Sequence, residues 1–411
     1  MSPLSIRPNF EDTQKAFAYK SNKELKKSKY LFQSMQLAPL VKFGTKISPF
    51  IVKYNLPGKA LIKNTLFEQF VGGATLEETS VVCNKLEKFR VQAILDYGIE
   101  GGEYSDEKYD IATNTFLQVI EYASKRKNTP FISIKVTGLV SLSLLEDLNV
   151  SIGKELHGNV FEDMATKLEN VDKGIRIQWE KLISRIRKIC DKATEAGIAV
   201  MIDAEESWLQ DPIDYLVLMM MQRYNREKIV IYNTIQLYRT DRMNFLIRSF
   251  EHATFNNYLL GIKLVRGAYM EKERLRANNL GYTSPIHSDK SATDTDFNKA
   301  VLFCLSNNSK ISSIIASHNE YSNLTAAEYM IKENITPSHP HVHFSQLLGM
   351  SDNLTFNLAD SGFNTSKYLP FGPVDEVIPY LMRRAEENSS ISDQTGRELS
   401  LIKKECNRRG I

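Results

Sequence analysis

Two rhythms divide the chain. Over residues 1–90 the apolar positions fall in short stretches broken by Pro39, Pro49 and Pro57, and a helical N-terminal region is predicted there. From Ala93 onward short β-rich runs recur: AILDYGIE at 93–100, FISIKVTG at 131–138, AVMIDAEE at 199–206 and IVIYNTIQLY at 229–238. LGIKLVRG at 260–267, ISSIIASHN at 311–319, VHFSQLLG at 342–349 and SKYLPFG at 366–372 continue the series. Between most of them lie stretches with apolar spacing near 3.6, such as Val171–Ala196 and Asp296–Ser306.

Eight strands alternating with helices imply parallel strands joined by crossovers. The count fits a closed α/β fold, a TIM-like (β/α)8 barrel, better than an open doubly wound sheet. No GxGxxG follows the first strand, which weakens a dinucleotide-binding sheet. The segment 138–172 is longer than an ordinary connection and reads as an insertion with its own short helices. The predicted organisation is a helical region over 1–90, a barrel over 91–392 and a tail over 393–411.

Composition changes this picture little. The chain has 411 residues, 42% hydrophobic and 25% charged, the balance of a globular protein with a large core. A net charge of +3 argues against nucleic acid as a partner. The dense basic stretch holding Lys20, Lys23, Lys26, Lys27 and Lys29 reads as a solvated helix face rather than a membrane patch. No apolar run approaches the ~20 residues needed to span a bilayer. The N-terminus lacks the apolar middle of a signal peptide and carries Glu11, Asp12 and Glu24, against a transit peptide. Four scattered cysteines without paired spacing suggest reduced thiols and a cytoplasmic location.

In such a barrel the chemistry gathers at the C-terminal ends of the strands. Those ends here carry Glu100, Lys135, Asp203, Glu205, Gln236, Lys263, Arg266, His318 and Asn319. Charges aimed into a barrel mouth need partners or a ligand, because unpaired burial is costly; a few structural ion pairs would account for one or two. Asp203 and Glu205, two apart, are expected on one face of a strand. Lys263 and Arg266, three apart, cannot both point inward from one regular strand, so Arg266 is expected where the strand gives way to the Gly267 loop. Gly267 and Ala268 leave little bulk, which suits either a flat ligand or a plain turn.

In what is expected to be the final helix, Tyr380, Arg383, Arg384 and Glu387 recur at i, i+3, i+4 and i+7 and share one helical face after Pro373. Two adjacent guanidiniums there form a ready carboxylate clamp, against the plainer reading of a solvated basic face. Pro379 within this helix implies a kink.

Taken in order, LDYGIE at 95–100, IDAEE at 202–206, KLVRGAY at 263–269, SHN at 317–319, QLLGMSD at 346–352 and YLPFGPVDEVIPYLMRRAEENSS at 368–390 resemble the flavin-dependent proline dehydrogenase family. KLVRGAY and the YLMRRAEEN helix are most similar to its monofunctional, eukaryotic-like branch; fused bacterial members carry an arginine and a lysine where this chain has Lys263 and Arg266. The resemblance implies oxidation of L-proline to 1-pyrroline-5-carboxylate by FAD, with hydride passing to flavin N5 and electrons onward to a quinone. By motif position it implies that Arg383, Arg384 and Lys135 hold the proline carboxylate, and that Tyr269, Leu347, Tyr368 and Tyr380 wall the ring. Glu100 would pair with Arg383. Lys263 would sit beside N5, with Asp203, Glu205, Gln236, Arg266, Gly267, Ala268, His318, Asn319 and Glu387 on the FAD side. Peripheral contact with an inner-membrane surface and docking of a separate pyrroline-carboxylate dehydrogenase stay open.

Rival readings are a hydroxyproline dehydrogenase of the same fold, a Schiff-base aldolase using Lys135 or Lys263, and a barrel that binds without turnover. A metal hydrolase built on His339, His341 and His343 has no evident carboxylate partner; a strand with exposed histidines is the expected account, and no metal is expected.

Overall fold

The computed structural model describes residues 7–36, 63–98, 104–152, 168, 170–390 and 392–411, with the side chains of 379 and 385–394 outside that description. Eight parallel strands form a closed barrel in chain order. They are β1 (Val91–Tyr97), β2 (Phe131–Ile134), β3 (Ala199–Ile202), β4 (Ile231–Gln236), β5 (Leu260–Val265), β6 (Ile311–Ala316), β7 (Val342–Leu347) and β8 (Thr365–Phe371). All eight predicted runs become strands. The helices over 173–196 and 290–306 fall where the 3.6 spacing placed them.

The chain divides into two compact units, 1–98 with 317–339 and 343–411, and 99–316 with 340–342. In the second unit β2 to β5 pair in register, with Ile134 opposite Ile202 and Thr234 opposite Lys263. Gly261 is required by close approach, since a Cβ there would lie 2.3 Å from the carbonyl oxygen of Ile231. A buried ion pair lies among the surrounding helices: Arg242 pairs with Asp214 at 2.5 Å, and Asn233 donates to the same carboxylate at 2.9 Å. The insertion contributes the helix Leu142–Ile152; 153–167 and 169 lie outside the described residues.

In the first unit β8 pairs with both β1 and β7. The helix Asn22–Met35 starts with a capping box, Ser21 and Glu24 bonding each other's backbone N–H. It packs its apolar face, Leu25 and Phe32, into one core with Phe70, Val377, Leu381, Leu399, Ile402 and Cys406. That core explains the N-terminal region: its helices support the arginine-bearing helix Val374–Ser390.

The basic stretch is only partly solvated. Lys23 and Lys26 are exposed, whereas Lys20 is buried and bonds Ser28 at 3.0 Å. The predicted tail is a helix, Ser392–Arg408, because Leu399, Leu401, Ile402 and Cys406 recur at helical spacing and are buried. The arginine-bearing helix is therefore the penultimate one. The four cysteines are buried, and none forms a disulfide.

Candidate active site

Within the second unit, residues of β2, β3 and β5 and the turns after them form a charged cluster. Lys135 follows β2, Asp203 follows β3, and Lys263 lies in β5. The Lys263 ammonium pairs closely with Asp203, Lys135 approaches the same carboxylate at 3.9 Å, and Ser133 donates its hydroxyl to it at 2.7 Å. Burial by itself would raise the Asp203 pKa; the two ammoniums and the hydrogen bonds overcome that and hold it below the ordinary carboxylate value. Both lysines are buried, at 5% and 8% exposure, so the cluster is a desolvated site with one carboxylate facing two cations.

Gln236 ends β4 at 2% exposure, and its Oε1 finds no hydrogen-bond partner among the described residues. A buried acceptor left open in this way is met by a donor from outside the protein, a ligand group or an ordered water. The residues present fit a flavin: an open acceptor suited to a ring N–H, and a fixed ammonium suited to an electron-rich ring system.

Arg266 lies just beyond β5, as the spacing requires. Its guanidinium pairs with Asp294 at 2.7 Å and stacks 4.3 Å from the Phe297 ring centre. Gly267 has φ 142°, and a Cβ there would meet the Tyr238 ring at 2.4 Å. The small residue is thus required by the protein's own tyrosine. Asp203 and Glu205 do not share a strand face, because β3 ends at Ile202 and both occupy the loop beyond it. Each turns to different partners: Glu205 accepts from Thr137 at 2.8 Å and from Tyr269 at 2.9 Å.

Within the first unit, the helix Val374–Ser390 carries Tyr380 (6% exposed), Arg383 and Arg384 (9%), and the Arg384 guanidinium lies 5.4 Å from the Tyr380 ring centre. The helix runs through Pro379. A mostly buried face disfavours the solvated-patch reading of the arginine pair. Leu347 ends β7 and Tyr368 lies in β8, opposite each other in register. His318 bonds Ser351 through Nδ1 at 2.9 Å, and Asn319 caps the helix Glu320–Lys332 by accepting from the Ser322 N–H at 2.9 Å. Glu100 and the side chain of Glu387 lie outside the described residues.

A buried ionic network in this unit has no counterpart among the expected site residues. Lys367, fully buried in β8, pairs with Asp352 at 2.9 Å; Lys20 approaches that carboxylate at 3.4 Å, and Tyr19 donates to it at 2.7 Å. Burial would raise Asp352, but Lys367 and Lys20 hold it at about 2. Glu398, taking the Ser351 N–H, is pushed up to about 7 by burial and by the Asp352 charge. A lysine inside the apolar run SKYLPFG was the available signal. The histidines are not an exposed set: His341 bonds the carbonyl of Asn308 at 2.7 Å, and His343 is buried beside Gln92 Oε1 at 2.5 Å, its burial pushing it down to about 4.

A closed parallel barrel with helices between its strands is a (β/α)8 barrel, and here two lysines meet one carboxylate at β2, β3 and β5. The family model described as "Proline dehydrogenase" matches residues 81–397, and the chain belongs to that family, whose members are oxidoreductases. It is 33% identical over 426 residues to "Proline dehydrogenase 1, mitochondrial" of Dictyostelium discoideum, covering 97% of this chain and 74% of that one. It is 30% identical over 414 residues to "Hydroxyproline dehydrogenase" of Xenopus laevis, covering 96% and 88%. Among solved structures, proline utilization A from Bdellovibrio bacteriovorus, inactivated by N-propargylglycine, superposes with a TM-score of 0.68 at 19% identity. That likeness, covering 91% of this chain and 38% of the other, concerns the barrel fold. Among the described residues no helix is long and apolar enough to cross a membrane.

Proposed function

We propose that the chain oxidises L-proline to 1-pyrroline-5-carboxylate with FAD as cofactor and a quinone as the onward electron acceptor. The observation that carries this reading is the buried Lys263–Asp203–Lys135 cluster, with the open Gln236 oxygen on the strand next to Lys263. Bound FAD would supply the acceptor for the hydride leaving the ring carbon beside nitrogen.

What the chain's own residues do is position and shield. Arg383, Arg384 and Lys135 hold the substrate carboxylate, the arginines by paired N–H donors. Tyr380, Tyr368, Leu347 and Tyr269 form the apolar wall that orients the C–H bond and excludes water. Lys263, Asp203 and Gln236 serve the cofactor ring, with Arg266, Gly267, Ala268, His318, Asn319 and Glu387 around it. The amine arrives neutral, its proton lost to solvent, so no strong base is required. Joining the two sets of residues in one reaction rests on membership of the family. The exposed Lys23 and Lys26 suit a peripheral membrane contact, and a separate pyrroline-carboxylate dehydrogenase is the partner this product calls for.

The Xenopus laevis relative favours a second reading, hydroxyproline as substrate. One absorbance experiment separates the two. The purified protein should be yellow, with a flavin band that bleaches anaerobically when L-proline is added; bleaching with hydroxyproline alone overturns the substrate assignment. Arg383→Met and Arg384→Met each raise KM for proline by about tenfold or more with a smaller change in kcat. An unchanged KM removes the clamp.

A further inference from the structure

Glu205 is buried, at 4% exposure, and is gripped from three directions. Thr137, in the turn Val136–Gly138 after β2, donates to its Oε1 at 2.8 Å. Tyr269, preceding the helix Met270–Leu280, donates its phenol to Oε2 at 2.9 Å. The Glu205 backbone N–H donates to the side chain of Gln210 at 2.7 Å, and Gln210 donates in turn to Asp214 at 2.9 Å. The carboxyl is thus fixed in place, and each of its oxygens holds one hydroxyl from another strand end.

The charged groups around it are few and mostly matched. Lys135 faces it from the end of β2 and attracts it. Asp203, two residues before it, is taken by Lys263. Glu206, next in the chain, repels it but pairs with Lys272 at 2.8 Å, and the Lys272 ammonium lies 5.5 Å from the Tyr269 ring centre. Glu273 is occupied by the Ser207 N–H and hydroxyl, each at 2.6 Å. Burial, with the Glu206 charge, pushes Glu205 up to about 7 against the pull of Lys135, Thr137 and Tyr269.

A hydroxyl that donates to a carboxylate makes a charge-assisted bond; donated to a neutral acid the same bond is weaker. The hold on the Tyr269 ring therefore depends on the charge of Glu205. We infer that Glu205 is a positioning residue of the active site: through the phenol hydroxyl it fixes the Tyr269 ring, and it does so most firmly when ionised. This rests on the proposed place of Tyr269 in the wall around the substrate ring. Glu205 itself touches Thr137 and Tyr269, so it acts on the substrate through another residue.

The test has one arm without substrate and one with it. With 13Cζ-labelled tyrosine in the full chain, the Tyr269 resonance, assigned by Tyr269→Phe, should shift with pH between about 5 and 9 as Glu205 titrates. In Glu205→Gln, whose amide can still bond both hydroxyls, the resonance should stay flat. In the second arm, KM for L-proline, expressed per neutral amine so that substrate deprotonation cancels, falls in the wild type as pH rises through the same range, and Glu205→Gln loses that remaining dependence. Glu205→Ala, which frees the phenol, raises KM about tenfold, the loss of one charge-assisted hydrogen bond. A flat Tyr269 resonance in the wild type overturns the inference, as does a KM that neither variant changes. A shifting resonance in a protein that proline does not bleach upholds the Glu205–Tyr269 link and overturns the substrate assignment instead.

Discussion

Asp203→Asn offers a direct measure of what the charged cluster contributes. The carboxylate faces Lys263 closely and Lys135 at 3.9 Å, and both lysines are nearly free of solvent. Two unit charges about 4 Å apart attract by about 4 kcal/mol at an effective dielectric constant of about 20. Removing one member of a buried pair costs about 3–5 kcal/mol, because the cations left behind keep their desolvation penalty. The Ser133 bond adds little to the loss, since an asparagine oxygen still accepts it.

The expected loss is therefore about 3–5 kcal/mol in urea unfolding near pH 7. Lys263→Met in the Asp203→Asn background should recover part of it, giving a coupling of about 2 kcal/mol or more in the double-mutant cycle. The sign with pH follows from the depressed carboxyl. Between its folded value and the ordinary 3.8, the unfolded chain binds more protons than the folded one. The stabilisation is thus complete above the ordinary value and is lost as pH falls through the folded one. Wild type and variant should run parallel at neutral pH and converge in acid. A loss below about 1 kcal/mol, strict additivity with Lys263→Met, or a gap that widens in acid refutes the reasoning.

Three further outcomes are expected. Asp352→Asn strips the fully buried Lys367 of its 2.9 Å partner and should cost about 3–5 kcal/mol in urea unfolding; Lys367→Met in the same background should restore most of it. Gly267→Ala drives a methyl into the Tyr238 ring and should lower thermal stability well beyond Gly281→Ala, which meets open space and bears only about 1–2 kcal/mol of left-handed strain. Glu205 stands at about 7 when folded against an ordinary 4.5, so the folded state binds more protons between those values and loses stability as pH rises through them. Glu205→Gln should therefore gain stability relative to wild type between about pH 5 and 8, read by denaturant midpoints.

The barrel was legible because its signal is local. Parallel strands buried on both faces read as short apolar runs, and a helix shows its buried stripe at 3.6 spacing. AVMI, IVIY and ISSIIA could hardly be anything else once helices were seen between them. The pairing of Arg383 and Arg384 on one face was equally local, a matter of helical geometry. The displacement of Arg266 beyond β5 followed from strand parity. Parity misled at Asp203 and Glu205, because it holds only while the strand lasts and β3 ends at Ile202.

By itself, then, the sequence determined the eight strands, their order and the residue types carried at their ends. Tertiary structure decided which of those residues meet. Lys20, Asp352 and Lys367 lie far apart in the chain and form one buried charge network. The 393–411 stretch became a packed helix only because the N-terminal helices offered it a core. Gly267 yields to Tyr238, and Glu205 accepts hydroxyls from Tyr269 and Thr137. Periodicity records how each segment faces its own surroundings. It carries no record of the long-range approaches that set a charge against its counterion, and those approaches are what shape this site.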